Sequence, residues 1–324
     1  MPHNTDGQGP ISLGAGANMH TAQVDHKQAL SGVVAIPVTP FDTRNRVDKA
    51  AYQGVLRRML DEGVRTVTPG GNTGEFYSLD ESERRLVVEL TVAETAASGV
   101  SAHIVAGVGH DLATAVRQAR HARAAGAQLV MVHQPVHPYL SDEGWVTYHR
   151  SVAEAVPELG VVPYVRDPLL PARSLGRLGE LCPNVVGVKY AVPDAARFAA
   201  VARDAGLERF VWVAGLAELY APAYWAMGAT GFTSGLVNVA PRLSLELLTA
   251  LRDGNTGAAM TLWERIRPFE ELRAQRRSAD NVAVVKEALA QLGHCRSNVR
   301  PPSHPLDEAR RQQVRDAVAD WKVS

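Results

Sequence analysis

The sequence predicts an α/β protein, a (β/α)8 TIM barrel with a C-terminal helical extension, and three observations carry that reading. Eight short, β-branched apolar runs recur between residues 33 and 234. Longer amphipathic segments separate them, with a mean step of about 28 residues, the size of one strand–helix unit. Each run is apolar at nearly every position, as expected of strands covered on both faces in a parallel sheet. Eight such units favour a closed barrel over an open doubly wound sheet.

The strand runs are Val33–Thr39, Thr66–Pro69, Ile104–Val108, Leu129–His133, Val161–Val165, Val185–Tyr190, Val211–Ala214 and Gly231–Ser234. Between the first two, Val47–Glu62 places Tyr52, Val55, Leu56 and Met59 at helical spacing, and Gly63 ends the helix. Asp80, followed three residues later by Glu83, reads as an N-terminal cap ahead of Leu86–Thr95. Ala113–Ala125 is a helix closed by Gly126. After residue 254 the strand-like runs stop. Ala258–Arg276, Val282–Leu292 and Leu306–Trp321 read as three helices, with Pro301-Pro302 breaking the chain before the third. They are expected to pack on the barrel or against a partner subunit. The organisation expected is a flexible tail over 1–31, the barrel over 32–254 and the three-helix extension over 255–324.

Charge and composition exclude several classes. The 324 residues hold 34 Lys and Arg against 34 Asp and Glu, a formal net charge of zero. That balance supplies no electrostatic reason to expect nucleic acid or an anionic membrane surface as a partner. Two cysteines, Cys182 and Cys295, are too few for a disulfide scaffold and do not form a CxxC pair. No apolar run approaches the roughly 18 residues of a membrane span. The first residues lack the basic start and apolar stretch of a secretory signal. A soluble, cytoplasmic protein is expected.

In a barrel the reactive groups stand at the C-terminal strand ends and in the loops beyond. The sixth run, Asn184–Tyr190, carries one lysine, Lys189, after apolar and glycine positions. A lysine turned into a barrel loses water, which favours the neutral amine, and a neutral amine can attack a ketone to form a Schiff base. Equally, its stem could pack at the strand end while the ammonium reaches water. Tyr164 ends the fifth run, one strand away, and could move protons there, or could be an ordinary core aromatic with its hydroxyl at the rim. Arg166 and Asp167 follow it, either as a surface ion pair or as a site loop whose guanidinium holds a carboxylate. The second run leads into Pro69–Phe76 (PGGNTGEF). Its glycines allow close backbone approach, its N–H groups can cradle an anion, and Thr73 adds a hydroxyl; such loops also serve as plain turns.

Gly71–Glu75 (GNTGE) after strand two, Tyr164 ending strand five and Lys189 within GVKY ending strand six occur in order and on the expected strands. Together they resemble the dihydrodipicolinate synthase and N-acetylneuraminate lyase family, the class I Schiff-base lyases, over about residues 32 to 320, including Pro37–Phe41 (PVTPF) and Val284–Ala288 (VVKEA). The resemblance implies a barrel with a helical extension, commonly a homotetramer, acting on a small-molecule keto acid with no cofactor and no metal. It implies that Lys189 forms the imine with a 2-oxo acid such as pyruvate and that Tyr164 shuttles the proton. Thr73 and the backbone of Gly71, Asn72 and Gly74 would bind the adjacent carboxylate, Asn72 standing where the synthases have a second threonine.

Departures from the synthase pattern separate branches. The strand-four loop reads His133-Gln134-Pro135-Val136-His137-Pro138-Tyr139, which puts His137 where the synthases have a relay tyrosine and makes it a candidate substrate contact. Val165-Arg166-Asp167 replaces an Asn-Val-Pro-Ser-Arg run, leaving Arg166 as the candidate second-substrate ligand. The Arg-Asp pair, GNTGEFYSL, Ala214-Gly215-Leu216 and Arg300-Pro301-Pro302 are similar to the 5-dehydro-4-deoxyglucarate dehydratase branch, which removes water and carbon dioxide from a sugar-acid keto acid. Gly215 and Ser234, in the loops after strands seven and eight, complete the candidate binding set. The expectation is a dehydratase or aldolase of that type. Its alternatives are a synthase-type pyruvate condensation and a keto-acid-binding barrel without turnover. Against the last stands the presence of both Lys189 and Tyr164, since binding alone needs neither. A metal site from His110, His133 and His137 lacks a carboxylate or cysteine at ligand spacing. Gly107–Leu112 lacks the third small residue of a dinucleotide fingerprint. A phosphosugar aldolase would need a basic residue beside Gly215 or Ser234-Gly235, and none is there.

Overall fold

The computed structural model describes residues 26–321. Eight parallel strands close into a barrel in chain order: β1 (Val33–Ala35), β2 (Thr66–Val67), β3 (His103–Val108), β4 (Leu129–Val132), β5 (Gly160–Val165), β6 (Gly187–Tyr190), β7 (Val211–Ala214) and β8 (Gly231–Ser234). Each is followed by one helix: α1 (Lys49–Asp61), α2 (Glu81–Ser98), α3 (Leu112–Ala125), α4 (Asp142–Ala155), α5 (Ala172–Leu181), α6 (Ala195–Ala205), α7 (Ala217–Ala226) and α8 (Pro241–Arg252). The expected (β/α)8 barrel is present. Its first two strands are shorter than their apolar runs. Pro37 and Pro69 have no N–H to give a ladder, and the Val38 N–H is satisfied by the Asn238 side chain instead. Asp80 caps α2 with a full capping box, so that helix begins at Glu81, earlier than its apolar periodicity indicates.

Side-chain alternation along the strands divides the core in two. Val33, Ala35, Val161, Val165, Val188 and Tyr190 pack outward against the helices. Val34, Val105, Leu129, Met131, Val162, Tyr164, Val211 and Val213 fill the barrel interior. Residues 26–30 form a helical turn whose Ala29 and Leu30 belong to that interior cluster, and Ala29 accepts a hydrogen bond from Thr66 Oγ1 at 2.7 Å. A Cβ on Gly231 would stand 2.1 Å from the Leu30 carbonyl oxygen, and one on Gly187 would stand 2.7 Å from Leu30 Cδ1. The turn is thus a stopper in the N-terminal mouth of the barrel, and residues 26–31 belong to the domain rather than to the expected tail. One buried leucine in an otherwise polar stretch is too small a signal to reveal this. The rest of that expected tail lies outside the described residues.

The extension comprises α9 (Thr256–Ser278), α10 (Asn281–Gln291) and α11 (Glu308–Val318). The last turn of α9 is not α-helical: Gln275 is extended, and Arg276, Arg277 and Ser278 have φ of 54°, 59° and 63°. α9 packs on α7 and α8, and α10 reaches the loop after β2, so the extension covers the C-terminal end of the barrel.

Leu30 is 1 % exposed. Leu30→Ala is expected to lower unfolding free energy by roughly 2–5 kcal/mol, the range for an emptied core leucine. Chemical denaturation measures this; a change under about 0.5 kcal/mol, the surface range, would show that the turn does not close the barrel.

Candidate active site

A cavity of about 350 Å³ opens at the C-terminal end of the barrel. Strand register places its central pair: Tyr164 of β5 stands opposite Lys189 of β6. Lys189 lies between two residues that face the helices, so it points inward, and its Nζ sits 4.0 Å from the centre of the Tyr164 ring. Lys189 is buried and has no carboxylate partner among the described residues. Burial, with a smaller contribution from the Arg166 charge, pulls its amine down to about 7. Near neutrality a large fraction is therefore the free nucleophile. Burial pushes the Tyr164 phenol up, while Arg166 and a hydrogen bond from Asn72 Nδ2 at 3.3 Å oppose that rise.

The loop after β2 is shaped by close approaches. Gly70 takes φ 71°, and a Cβ on the facing Gly107 would stand 2.1 Å from its carbonyl oxygen. His133 Nε2 donates to that same carbonyl at 2.8 Å, and its ring stacks on Phe76 with centroids 4.0 Å apart. Burial holds the His133 imidazole down to about 3, so it is neutral and buttresses the loop. Asn72–Gly74 form one 3-10 turn, in which the Gly74 and Glu75 N–H groups bond to Gly71 and Asn72 carbonyls. The first N–H groups of the turn, with the Asn72 and Thr73 side chains at the cavity wall, are left to meet a ligand.

The structure brings together Lys189, Tyr164, Asn72, Thr73, Arg166 and Gly215 on one cavity. Gly71 and Gly74 shape the loop from behind. A Cβ on Gly71 would press on Ile36, and the Gly74 carbonyl accepts from Thr39. Two expected substrate contacts are displaced. His137 is exposed on a loop that turns outward, and its ring bonds to the Tyr139 backbone, away from the cavity. Ser234 faces outward, as alternation requires once its neighbour Thr233 faces in; it bonds Ser244 and the Val237 N–H. Among the described residues no group of three or more His, Cys, Asp or Glu is arranged to hold a metal.

The sequence reading missed the outer wall. Glu270, Arg273, Arg277, Ser278 and Asn281 from the extension complete the cavity. What holds this wall to the barrel is Lys286 of α10, fully buried, ion-paired with Glu75 of the GNTGE loop. Lys286 also donates to the Asn298 carbonyl at 3.0 Å, and Glu75 accepts from the Arg300 N–H at 2.9 Å. The one available signal was a lysine inside the apolar VVKEA stretch.

A family model described as the dihydrodipicolinate synthetase family matches residues 29–320. The chain belongs to the dihydrodipicolinate synthetase family. It is therefore a lyase of the class I aldolase type. A protein from Rhizobium rhizogenes named "Probable 5-dehydro-4-deoxyglucarate dehydratase" is 33 % identical over 279 residues, covering 84 % of this chain and 89 % of that protein. One of the same name from Ralstonia nicotianae is 31 % identical, covering 89 % and 92 %. A crystal structure of dihydrodipicolinate synthase from Bacillus clausii is 38 % identical, covers 91 % of this chain and 99 % of its own, and superposes with a TM-score of 0.87. Among the described residues no helix of this family member is long and apolar enough to cross a membrane.

Removing the Lys286 ammonium leaves the Glu75 carboxylate buried and unpaired, a change that costs roughly 3–5 kcal/mol. Lys286→Met is expected to lose that much stability in denaturant titration. A loss below about 1 kcal/mol, as for an exposed pair, would contradict the clamp.

Proposed function

We propose that the chain is a Schiff-base lyase that joins Lys189 to a 2-oxo acid and acts as a dehydratase of the 5-dehydro-4-deoxyglucarate type. The observation that carries this reading is the desolvated, carboxylate-free Lys189 amine lying on the Tyr164 ring beside Thr73. Its chemistry uses only the chain's own groups. The neutral amine adds to the ketone, and loss of water gives an imine whose positive charge acidifies the adjacent carbon. Tyr164 passes the protons, and Thr73 with Asn72 holds the carboxylate next to the ketone. Loss of the β-hydroxyl as water and of the far carboxylate as carbon dioxide, reprotonation of the carbon chain and hydrolysis of the imine by water then release the semialdehyde of 2-oxoglutarate and return the Lys189 amine. The similarity to proteins named as that dehydratase supports the substrate choice. A second reading, condensation of pyruvate with an aldehyde, is favoured by the 38 % identical structure titled a dihydrodipicolinate synthase.

Borohydride reduction in the presence of pyruvate or another 2-oxo acid is expected to add mass to the peptide containing Lys189. Because protonation removes the nucleophile, trapping should rise with pH through about 7 rather than near the ordinary lysine value. No adduct, or one elsewhere, would sink the imine. Carbon dioxide release from 5-dehydro-4-deoxyglucarate supports the dehydratase; turnover only with pyruvate plus an aldehyde such as aspartate semialdehyde replaces it with the condensation.

Tyr164→Phe should keep imine trapping while turnover falls by about 10²–10⁴-fold, the usual contribution of a positioned acid–base group. Unchanged turnover would remove Tyr164 as the shuttle.

A further inference from the structure

The charges lining the cavity do not cancel. Glu75 is taken by Lys286, and Glu270 by Arg273, whose guanidinium is also held by Asn281 Oδ1 at 2.9 and 3.2 Å. Two lining guanidiniums are left, Arg166 in the loop after β5 and Arg277 at the end of α9. Among the described residues neither has a carboxylate or a side-chain hydrogen-bond partner. They stand at different depths. Arg166 directly follows β5, two residues beyond Tyr164, and lines the cavity with Tyr164 and Lys189, which places it at the reacting end. Arg277 comes from the extension and lines the outer wall with Ser278 and Asn281.

The backbone that presents Arg277 is strained. Arg276, Arg277 and Ser278 occupy the left-handed region in succession, which L-residues with side chains rarely do. Neighbouring bonds fix the segment: Arg276 pairs with Asp280 at 3.4 Å, Asp280 with Arg310 at 2.7 Å, and the Ala279 N–H bonds to the Arg276 carbonyl. Arg276 is thereby spent on the fold, and Arg277 is the one of the adjacent pair turned to the cavity. A site that binds only a small monoacid at Lys189 and Thr73 has no use for a second, outer guanidinium held this way.

We propose that Arg277 is a specificity-determining residue that binds the far carboxylate of a 2-oxo diacid whose keto group reacts with Lys189. The substrate class is a dianion with its two carboxylates at opposite ends of the carbon chain, one at Thr73 and one at the guanidinium. This rests on the imine reading and extends it to the outer wall.

The test needs no turnover. Borohydride trapping at Lys189 is titrated with 2-oxoadipate, with 2-oxohexanoate, which has the same chain length and no second carboxylate, and with pyruvate. The wild-type chain should be half-saturated by the diacid at a concentration about tenfold or more below that for the monoacid of equal length, the size of one charge-assisted hydrogen-bonded pair. Arg277→Met should abolish that preference and leave pyruvate trapping within about twofold, and Arg277→Lys should restore part of it. Arg277→Gly, which relieves the backbone strain, should lose the preference as Met does. If it keeps the preference, the guanidinium is not the reader. Equal effects of Arg277→Met on pyruvate and 2-oxoadipate, or no effect while Arg166→Met removes the preference, would overturn the proposal. Absence of any wild-type adduct would show instead that the imine reading has failed, and this proposal with it.

Discussion

The ion pair between Lys286 and Glu75 is the contact on which the site's construction depends. Both side chains are buried, 0 % and 2 % exposed, and 211 residues separate them along the chain. Neither charge could be buried alone without a penalty of several kcal/mol, so each makes the other tolerable. The surrounding groups complete the solvation that water would supply. The Asn298 carbonyl meets the ammonium, the Arg300 N–H meets the carboxylate, and the Phe41 ring lies 4.0 Å from both Lys286 Nζ and Arg300 Cζ. Glu75 itself takes φ 60°, an unfavourable value for a glutamate, directly after the Asn72–Gly74 turn. The same residue that terminates the loop after β2 thus anchors the extension. A cavity whose inner face is barrel and whose outer face is extension has its width set by this pair.

Two buried lysines in one molecule stand in opposite electrostatic surroundings. Burial disfavours the ammonium in both. At Lys286 the Glu75 carboxylate works against burial, which keeps a cation suited to a structural pair. At Lys189 the Arg166 charge works with burial and favours the neutral amine. The facing aromatic ring of Tyr164 accommodates either form and offers no base to hold the proton. Charge placement around the two sites is enough to separate a lysine drawn toward its neutral form from one held in an ion pair.

The inner half of the site was legible in the sequence because barrel geometry converts position in a run into position in space. A single polar residue closing an apolar strand had to stand at the C-terminal mouth, which located Lys189 and Tyr164; register then placed them face to face. Thr73 and Asn72 followed from a glycine-rich loop after β2. Two residues were misplaced for identifiable reasons. Ser234 is the last residue of β8, whereas Lys189 is the last but one of β6, so the alternation that turns Lys189 and Thr233 inward turns Ser234 out. His137 was placed by alignment to a family loop, and here that loop leans into solvent with Val136 and Tyr139 exposed. The outer wall had no local signature, because Glu75 and Lys286 acquire meaning only through each other, 211 residues apart, and Arg273 and Arg277 only through the cavity that the barrel and the extension form together. The stopper at residues 26–30 escaped for the same reason: its burial is decided by glycines of β6 and β8.

The cluster behind the wall explains why Arg273, the more buried of the two extension arginines at the cavity, is not available to a ligand. Glu218 of α7 and Glu270 of α9 are both buried, and Glu270 is paired with the Arg273 guanidinium. Burial, and then the charge of Glu270, lift the Glu218 carboxyl to about 7, and Ser244 Oγ donates to its Oε1 at 2.6 Å. Two neighbouring carboxyl groups in a dry space cannot both stay ionised easily, and releasing Arg273 toward a substrate would leave Glu270 buried without its compensating charge. A Cβ on Gly235 would overlap the Arg273 guanidinium, so the strand end is also shaped around its present position. Arg273, bonded to Glu270 and Asn281 within the extension, is thereby held back from a ligand. Arg277, four residues further and beyond the helical part of α9, is free of that obligation, and the left-handed turn is what carries it there.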